Sequence, residues 1–263
     1  MPKPYWREMS TTNFGPESAD WIAVLPLAAI EQHGPHLPVG VDAMIAEGMI
    51  AACAKALPPD MPVTFLPLQE IAKSNEHIRF AGTITLDWDL VIRQWIQIGQ
   101  SIARAGPRTI VLITSHGGNV APMEIAAREL RETDAMRVVT TSWGRLGDWR
   151  NIYDYDGPIT DIHGGLAETS LMLAMRPDLV DMQQAQKFTS DQSRLSGRDK
   201  LGWHGADANM AWLSGDLNPQ GVVGDATRAS ADLGQKDLAQ MVQGFMSLMH
   251  ELKAEIKEHG AHK

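Results

Sequence analysis

The segment Glu31-Gln32-His33 sets a carboxylate and an imidazole two residues apart. In an extended chain, side chains i and i+2 point the same way, so both can face one site. Asp42 follows His33 by nine residues, across the Gly/Pro-rich stretch Gly34 to Gly40, which can fold back on itself. His116 comes directly after a β-branched apolar run and before Gly117-Gly118, and His163 precedes Glu168 by five residues. With His163 set aside, Glu31, His33, Asp42, His116 and Glu168 make a nitrogen and oxygen donor set suited to Zn²⁺, Mn²⁺ or Fe²⁺. Three carboxylates and two histidines exceed the three protein ligands of a single catalytic zinc. A carboxylate such as Asp42 can bridge two ions, as dinuclear hydrolases do.

Composition supports that choice of donors. The chain has nine histidines and one cysteine, so a metal site here uses nitrogen and oxygen. Cys53, in the apolar stretch Ala51 to Ala56, reads as a buried small hydrophobe. With a single cysteine no internal disulfide can form, which fits a reducing compartment. His204, His250, His259 and His262 read as structural or solvated. Ser115 beside His116 lacks the G-x-S-x-G context of a nucleophilic serine. Gly117-Gly118, before a helix, offers N–H groups to an anion. Trp88 and Trp95, at helical spacing, read as core.

These residues need elements to place them. Trp21 to Ile30 reads as a buried strand that runs into the polar loop Glu31 to Asp42, and Ala43 to Leu57 reads as a helix stopped by Pro58-Pro59. Val63 to Leu68 is a second strand, followed by the loop Lys73 to Arg79. Asp87 is placed as N-cap of an amphipathic helix with apolar residues at Trp88, Val91, Ile92, Trp95 and Ile102, ended by Gly106-Pro107. Thr109 to Thr114 is a continuous β-branched strand, Ala121 to Thr133 a helix, and Arg137 to Ser142 a further strand. Arg145 to Pro158 reads as loop, Gly164 to Met175 as helix, and Gln183 to Gly221 as a stretch without clear period, too long for a plain connection and so either functional or an oligomer contact. Ala229 to Lys257 reads as a helix broken near Gly234 or Gly244. The alternation predicts an α/β fold: a single domain spanning residues 1–263, with a mostly parallel central sheet flanked by helices. In such sheets sites form beyond the carboxyl ends of the strands, where Glu31, His33, His77 and His116 fall.

At 263 residues, with 44% hydrophobic and 21% charged residues, the chain is long enough for a packed core and unlike a disordered one. Its net charge of −9, with scattered Lys and Arg, argues against a nucleic-acid partner. No stretch approaches the roughly 20 apolar residues of a membrane span, and the N-terminus lacks the apolar core of a signal peptide. The expectation is therefore a cytoplasmic protein acting on a small molecule.

Four segments resemble the creatininase (creatinine amidohydrolase) family, in that family's order and spacing. They are Glu31 to Asp42 (EQHGPHLPVGVD), Ser74 to His77 (SNEH) with Phe80 to Ile84 (FAGTI), Ser115 to Asn119 (SHGGN), and His163 to Ser170 (HGGLAETS). The resemblance implies a dinuclear metal hydrolase on a Rossmann-like, creatininase-like α/β fold, a homo-oligomer and often a hexamer. It implies that Glu31 and His116 ligate one ion, His33 and Glu168 the other, that Asp42 bridges them, and that His163 shuttles a proton. Creatinine hydrolases carry Tyr-Glu where this chain has Gly117-Gly118, so the resemblance is to the broader branch. Thr114-Ser115 and Leu166 also depart from that branch, which has Asn-Gly and an acidic residue at those places. The expected reaction is cleavage of an amide C–N bond in a small cyclic or formylated substrate by a metal-bridging hydroxide. Ser74, Glu76, His77, Gly117, Gly118 and Trp143 are expected to contact substrate, with Trp149 and Tyr153 as an aromatic wall. The alternatives are a lactone or cyclic-ketone hydrolase using the same metals, and a non-catalytic metal-binding or assembly protein.

Overall fold

A computed structural model describes residues 1–155, 161–195, 197–203 and 205–260. Four parallel strands, β1 (Ile22–Leu27), β2 (Val63–Phe65), β3 (Thr109–Thr114) and β4 (Arg137–Ser142), form a sheet in the order β2-β1-β3-β4. Pro26 in the central strand β1 would ordinarily break a ladder. It is tolerated because β2 has ended: β1 pairs with β2 only as far as Val24 opposite Phe65.

Helices cover both faces, as the alternation predicts. On one face α1 (Val41–Ala56) contributes Ile45, Met49 and Cys53 to a core shared with Val24, Val111 and the C-terminal helix. Cys53 is fully buried and its thiol is pushed up to about 12 by burial, in keeping with a packing role. On the other face α2 (Trp88–Ala105) and α3 (Val120–Asp134) bury Trp95, Ile102, Met123 and Leu130 against Ala23, Leu25, Ile110 and Leu112. The chain continues through two short turns of helix, α4 (Trp143–Leu146) and α5 (Trp149–Ile152), then α6 (Leu166–Met175). The β pairs β5 (Lys187–Phe188) with β8 (Gly224–Asp225), and β6 (Leu201–Gly202) with β7 (Ala208–Asn209), frame α7 (Ser214–Leu217). The last helix, α8, runs Ala231–His259.

The structure corrects several expectations. β1 ends at Leu27, and Ile30 makes only an isolated bridge to Ile84. α1 begins at Val41 rather than Ala43, which puts Asp42 in its first turn, where the helix dipole favours a carboxylate. Arg145 to Pro158 is not all loop, since α4 and α5 occupy part of it; residues 156–160, His204 and His262 lie outside the described residues. α8 is unbroken. Its glycines mark close approach instead: a Cβ on Gly234 would stand 2.0 Å from the Ser170 carbonyl oxygen, and one on Gly244 1.9 Å from that of Leu146. Trp95 is buried core, but Trp88 is 45% exposed.

Candidate metal centre

The strand order reverses between β1 and β3, so their carboxyl ends diverge and leave a crevice. The segment after β1 supplies Glu31 and His33, the first turn of α1 Asp42, the turn after β3 His116, and the first turns of α6 Glu168. His163 precedes that helix and pairs with Val223 as an isolated bridge.

Glu31, Asp42 and His116 bring one donor atom each within 4.8 Å of one another, and so do His33, Asp42 and Glu168. Asp42 belongs to both groups, and Glu31, His33 and His163 form a third. His116 Nδ1 lies 3.2 Å from Glu31 Oε2 and 3.6 Å from Asp42 Oδ2. His33 Nε2 lies 4.0 Å from Asp42 Oδ2 and 3.9 Å from Glu168 Oε2. The His33 Nδ1–H donates to the Glu31 carbonyl at 3.0 Å. A carbonyl can only accept, so in the neutral ring Nε2 keeps its lone pair and aims it at the two carboxylates.

The electrostatics call for a cation. Burial and the Glu31 charge push the Asp42 carboxyl well above its ordinary range. Burial also raises Glu168. Burial alone would raise Glu31, but the adjacent His116, whose imidazole Glu31 in turn holds well above its ordinary range, keeps it well below the carboxylate range. Burial and His163 push His33 down to about 3, leaving it neutral at pH 7. The buried atoms Glu31 Oε1 and Oε2, His33 Nε2 and Asp42 Oδ2 receive no aligned hydrogen bond from the described residues. Clustered buried acceptors of this kind are costly without a cation, and they fit divalent ions held by nitrogen and oxygen.

Around these donors is a supporting shell, part of which the sequence did not reveal. Gln32 Nε2 donates to His77 Nδ1 at 2.8 Å and is 2.7 Å from the Gly221 carbonyl. His77 therefore carries its proton on Nε2, 3.4 Å from Glu31 Oε1. His163 Nε2–H donates to the Gln32 carbonyl at 2.6 Å, leaving Nδ1 3.5 Å from Glu31 Oε1. Gly164 N–H donates to Glu168 Oε2 at 2.5 Å. Asp161 accepts from the Ala167 amide and from the Tyr155 hydroxyl, fixing the entry to α6. Asn119 ties three segments: its amide group donates to the Ala28 carbonyl and its oxygen accepts from the Lys73 amide. Of these, Asn119 lies inside the SHGGN motif and Gln32 between two candidate ligands, which is the only signal sequence carried.

Other expected contacts are distributed unevenly. Glu76 Oε1 lies 3.2 Å from His116 Nε2, so Glu76 faces a candidate ligand as well as the cavity. Gly118 makes room for this pair: a Cβ there would stand 2.2 Å from Glu76 Oε1 and 2.4 Å from His116 Nε2, whereas one on Gly117 would meet nothing within 4 Å. Ser74 is buried and its amide donates to Thr85 Oγ1, setting the loop that carries Glu76 and His77. Ser115 Oγ donates to the Asp42 carbonyl at 2.8 Å, a structural role. His36 bonds Thr169 Oγ1 at 3.0 Å, one layer behind Glu168.

Two cavities open onto the cluster, one of about 570 Å³ and one of about 430 Å³. The first is walled by Trp88, Trp203, Met210 and Trp212, the second by Trp143, Arg145, Trp149 and Asp237, and both are lined by His116, His163 and Glu168. Trp143 is 1% exposed and packs on Phe245 behind the smaller cavity. Tyr153 is not in the wall: it is buried, and its hydroxyl donates to Asp237 Oδ2 at 2.9 Å.

A parallel α/β domain with a buried histidine–carboxylate cluster at its switch point defines a candidate metal site. The sequence profile of the creatininase family, described as creatinine amidohydrolase, matches residues 7–249, and the chain belongs to that family. It is 31% identical over 258 residues to a mycofactocin precursor peptide peptidase of Mycobacterium ulcerans, covering 93% of this chain and 91% of that one. It is 33% identical over 179 residues to a creatinine amidohydrolase of Pseudomonas putida, covering 64% of this chain and 69% of that one. A solved structure of a mutant creatininase of Zn–Zn type superposes with a TM-score of 0.76 at 25% identity, covering 95% of this chain and 98% of that one.

Proposed function

We propose that this chain hydrolyses an amide C–N bond with two divalent metal ions, zinc, manganese or iron. Glu31, Asp42 and His116 would hold one ion, and His33, Asp42 and Glu168 the other. When bound, such ions polarise a carbonyl and lower the pKa of a water. The observation that carries this reading is the pair of triads sharing Asp42, with buried acceptor atoms that receive no aligned hydrogen bond from the described residues. Two relatives bearing the names of a peptidase and an amidohydrolase support C–N hydrolysis as the reaction class.

The remaining residues have work that follows from their atoms. The oxygen of water joins the carbonyl carbon, the C–N bond breaks, and a water proton ends on the leaving nitrogen. His163 moves that proton at Nδ1, its other nitrogen being fixed by the Gln32 carbonyl. The leaving nitrogen needs protonation because an amide anion is a poor leaving group. The Gly117 and Gly118 amides, entering α3, offer N–H groups to the developing oxyanion. Self-association as a homo-oligomer, hexameric by the family resemblance, belongs to the same proposal and is read by light scattering of the purified chain.

Metal analysis combined with an amide panel tests this. Wild-type protein carries two ions per chain and cleaves an amide. His163→Ala keeps the metal and loses about 10²–10⁴-fold in rate. A metal-free wild type with full activity contradicts the proposal.

A further inference from the structure

The stretch from Gln183 to Gly221 has no clear period in sequence, yet it builds one wall of the larger cavity. It is anchored at the site by the Ser214 hydroxyl, which donates to the Glu76 carbonyl at 3.1 Å, and is tied internally by the Met210 amide, which donates to the Gly202 carbonyl at 2.8 Å. Trp203, Met210 and Trp212 line this cavity together with Trp88. Apart from the groups facing the metal cluster, the described lining of this cavity is uncharged, its polar side chains being Asn75, Ser115 and Asn209. The smaller cavity differs, with Arg145, Asp161 and Asp237 in its wall.

The volumes decide between substrate classes. Pockets of roughly 300–1,000 Å³ hold drug-sized ligands. Here about 570 Å³ and about 430 Å³ meet at one metal cluster, so a single small ring leaves most of both empty. Because His116, His163 and Glu168 line both, a carbonyl placed at the cluster has room on each side of its C–N bond.

We infer that the substrate is an extended amide with a group on each side of the scissile bond, and that the tryptophan-walled cavity takes an uncharged aromatic or apolar one. This rests on the amide-hydrolase reading above. Trp88, Trp203, Met210 and Trp212 are then the specificity-determining residues, through flat apolar faces that stack or pack an arm of matching shape.

The test is a matched set of amides: N-methylacetamide, N-methyl-phenylacetamide, N-benzylacetamide, N-benzyl-phenylacetamide and the ring amide hydantoin. With metal-loaded protein, at least one aromatic arm raises kcat/KM by about 10- to 100-fold over N-methylacetamide, the value of burying one such group. The doubly substituted amide is best, and hydantoin is poor. Trp212→Ala and Met210→Glu each cut the aromatic-to-methyl ratio at least about tenfold. Equal kcat/KM for hydantoin and the doubly substituted amide, or an unchanged ratio in both variants, overturns the inference and leaves amide hydrolysis standing. Tryptophan fluorescence titration with N-benzyl-phenylacetamide judges the inference even if no amide is cleaved. Saturable quenching that Met210→Glu weakens supports it, and no quenching up to millimolar probe overturns it.

Discussion

At the scale of single residues, Gly117 and Gly118 look interchangeable in sequence and are opposite in space. A methyl group on Gly118 would enter the contact between Glu76 and His116, whereas one on Gly117 meets open cavity. Gly118→Ala is therefore expected to lower metal affinity by about 10-fold or more, with Gly117→Ala near wild type, as measured by competition with a chromophoric chelator. Glu76 belongs to the same argument. A carboxylate beside the outer nitrogen of a ligand histidine fixes its ring and raises its basicity, and its loss costs about 10–100-fold in metal affinity. Glu76→Gln is expected to fall in that range with an unchanged melting temperature in the metal-free state. Unaltered affinity would reduce Glu76 to a cavity residue. The donor types and spacing of Glu31, His33, Asp42, His116 and Glu168 were legible because chemistry restricts them strongly. The roles of Gln32, Asn119 and Asp161 were not, because amide and capping contacts depend on where segments meet, and spacing does not encode that.

At the scale of elements, the buried strands and amphipathic α2 were readable from hydrophobic pattern, which is a local property. The 29-residue helix α8 was misread at its glycines, whose reason is tertiary: α6 and α4 press against Gly234 and Gly244. Gly244→Ala is expected to destabilise the protein by about 1–3 kcal/mol in urea unfolding, since the Leu146 carbonyl cannot yield cheaply. Exposed-helix propensity alone predicts the reverse sign, so the measurement separates the two accounts. α8 also carries Asp237, buried beside Tyr153, whose carboxyl is pushed up to about 6 by burial, with the Tyr153 hydrogen bond opposing. The folded state therefore binds this proton more tightly than the unfolded one. Its stabilising contribution is full below the unfolded value near 4 and is lost as pH rises through about 6. Asp237→Asn is expected to flatten the pH dependence of stability between 4 and 6 and to raise stability at pH 7 by the order of 1–2 kcal/mol. An unchanged slope would place that carboxyl in water.

At the scale of the whole molecule, the sheet order explains why distant segments converge. β1 and β3 are adjacent although the paired residues Ile22 and Thr109 lie 87 positions apart in sequence, and the loops after both strands open into the same crevice. Parallel alternation predicted the layers, but not that the aperiodic stretch from Gln183 to Gly221 would return to wall the site, because nothing in its composition names the surface it covers. No described helix is long and apolar enough to cross a membrane. The formal charge of −9 includes Glu31, Asp42 and Glu168, which two divalent ions would offset. Metal loading is thus expected to stabilise the fold by RT ln(1 + [M]/Kd), about 2.7 kcal/mol at a hundredfold excess over Kd, visible as a rise in melting temperature.

The central claim is that Asp42 is shared by two metal positions, and metal stoichiometry tests it most directly. Metal-stripped chain is titrated with Zn²⁺ or Mn²⁺ and the bound ions are counted per chain by calorimetry and elemental analysis. The account predicts two ions for wild type, one tightly held ion after Glu168→Ala, and neither held tightly after Asp42→Ala. Two tightly bound ions in Asp42→Ala, or none in wild type, would contradict it.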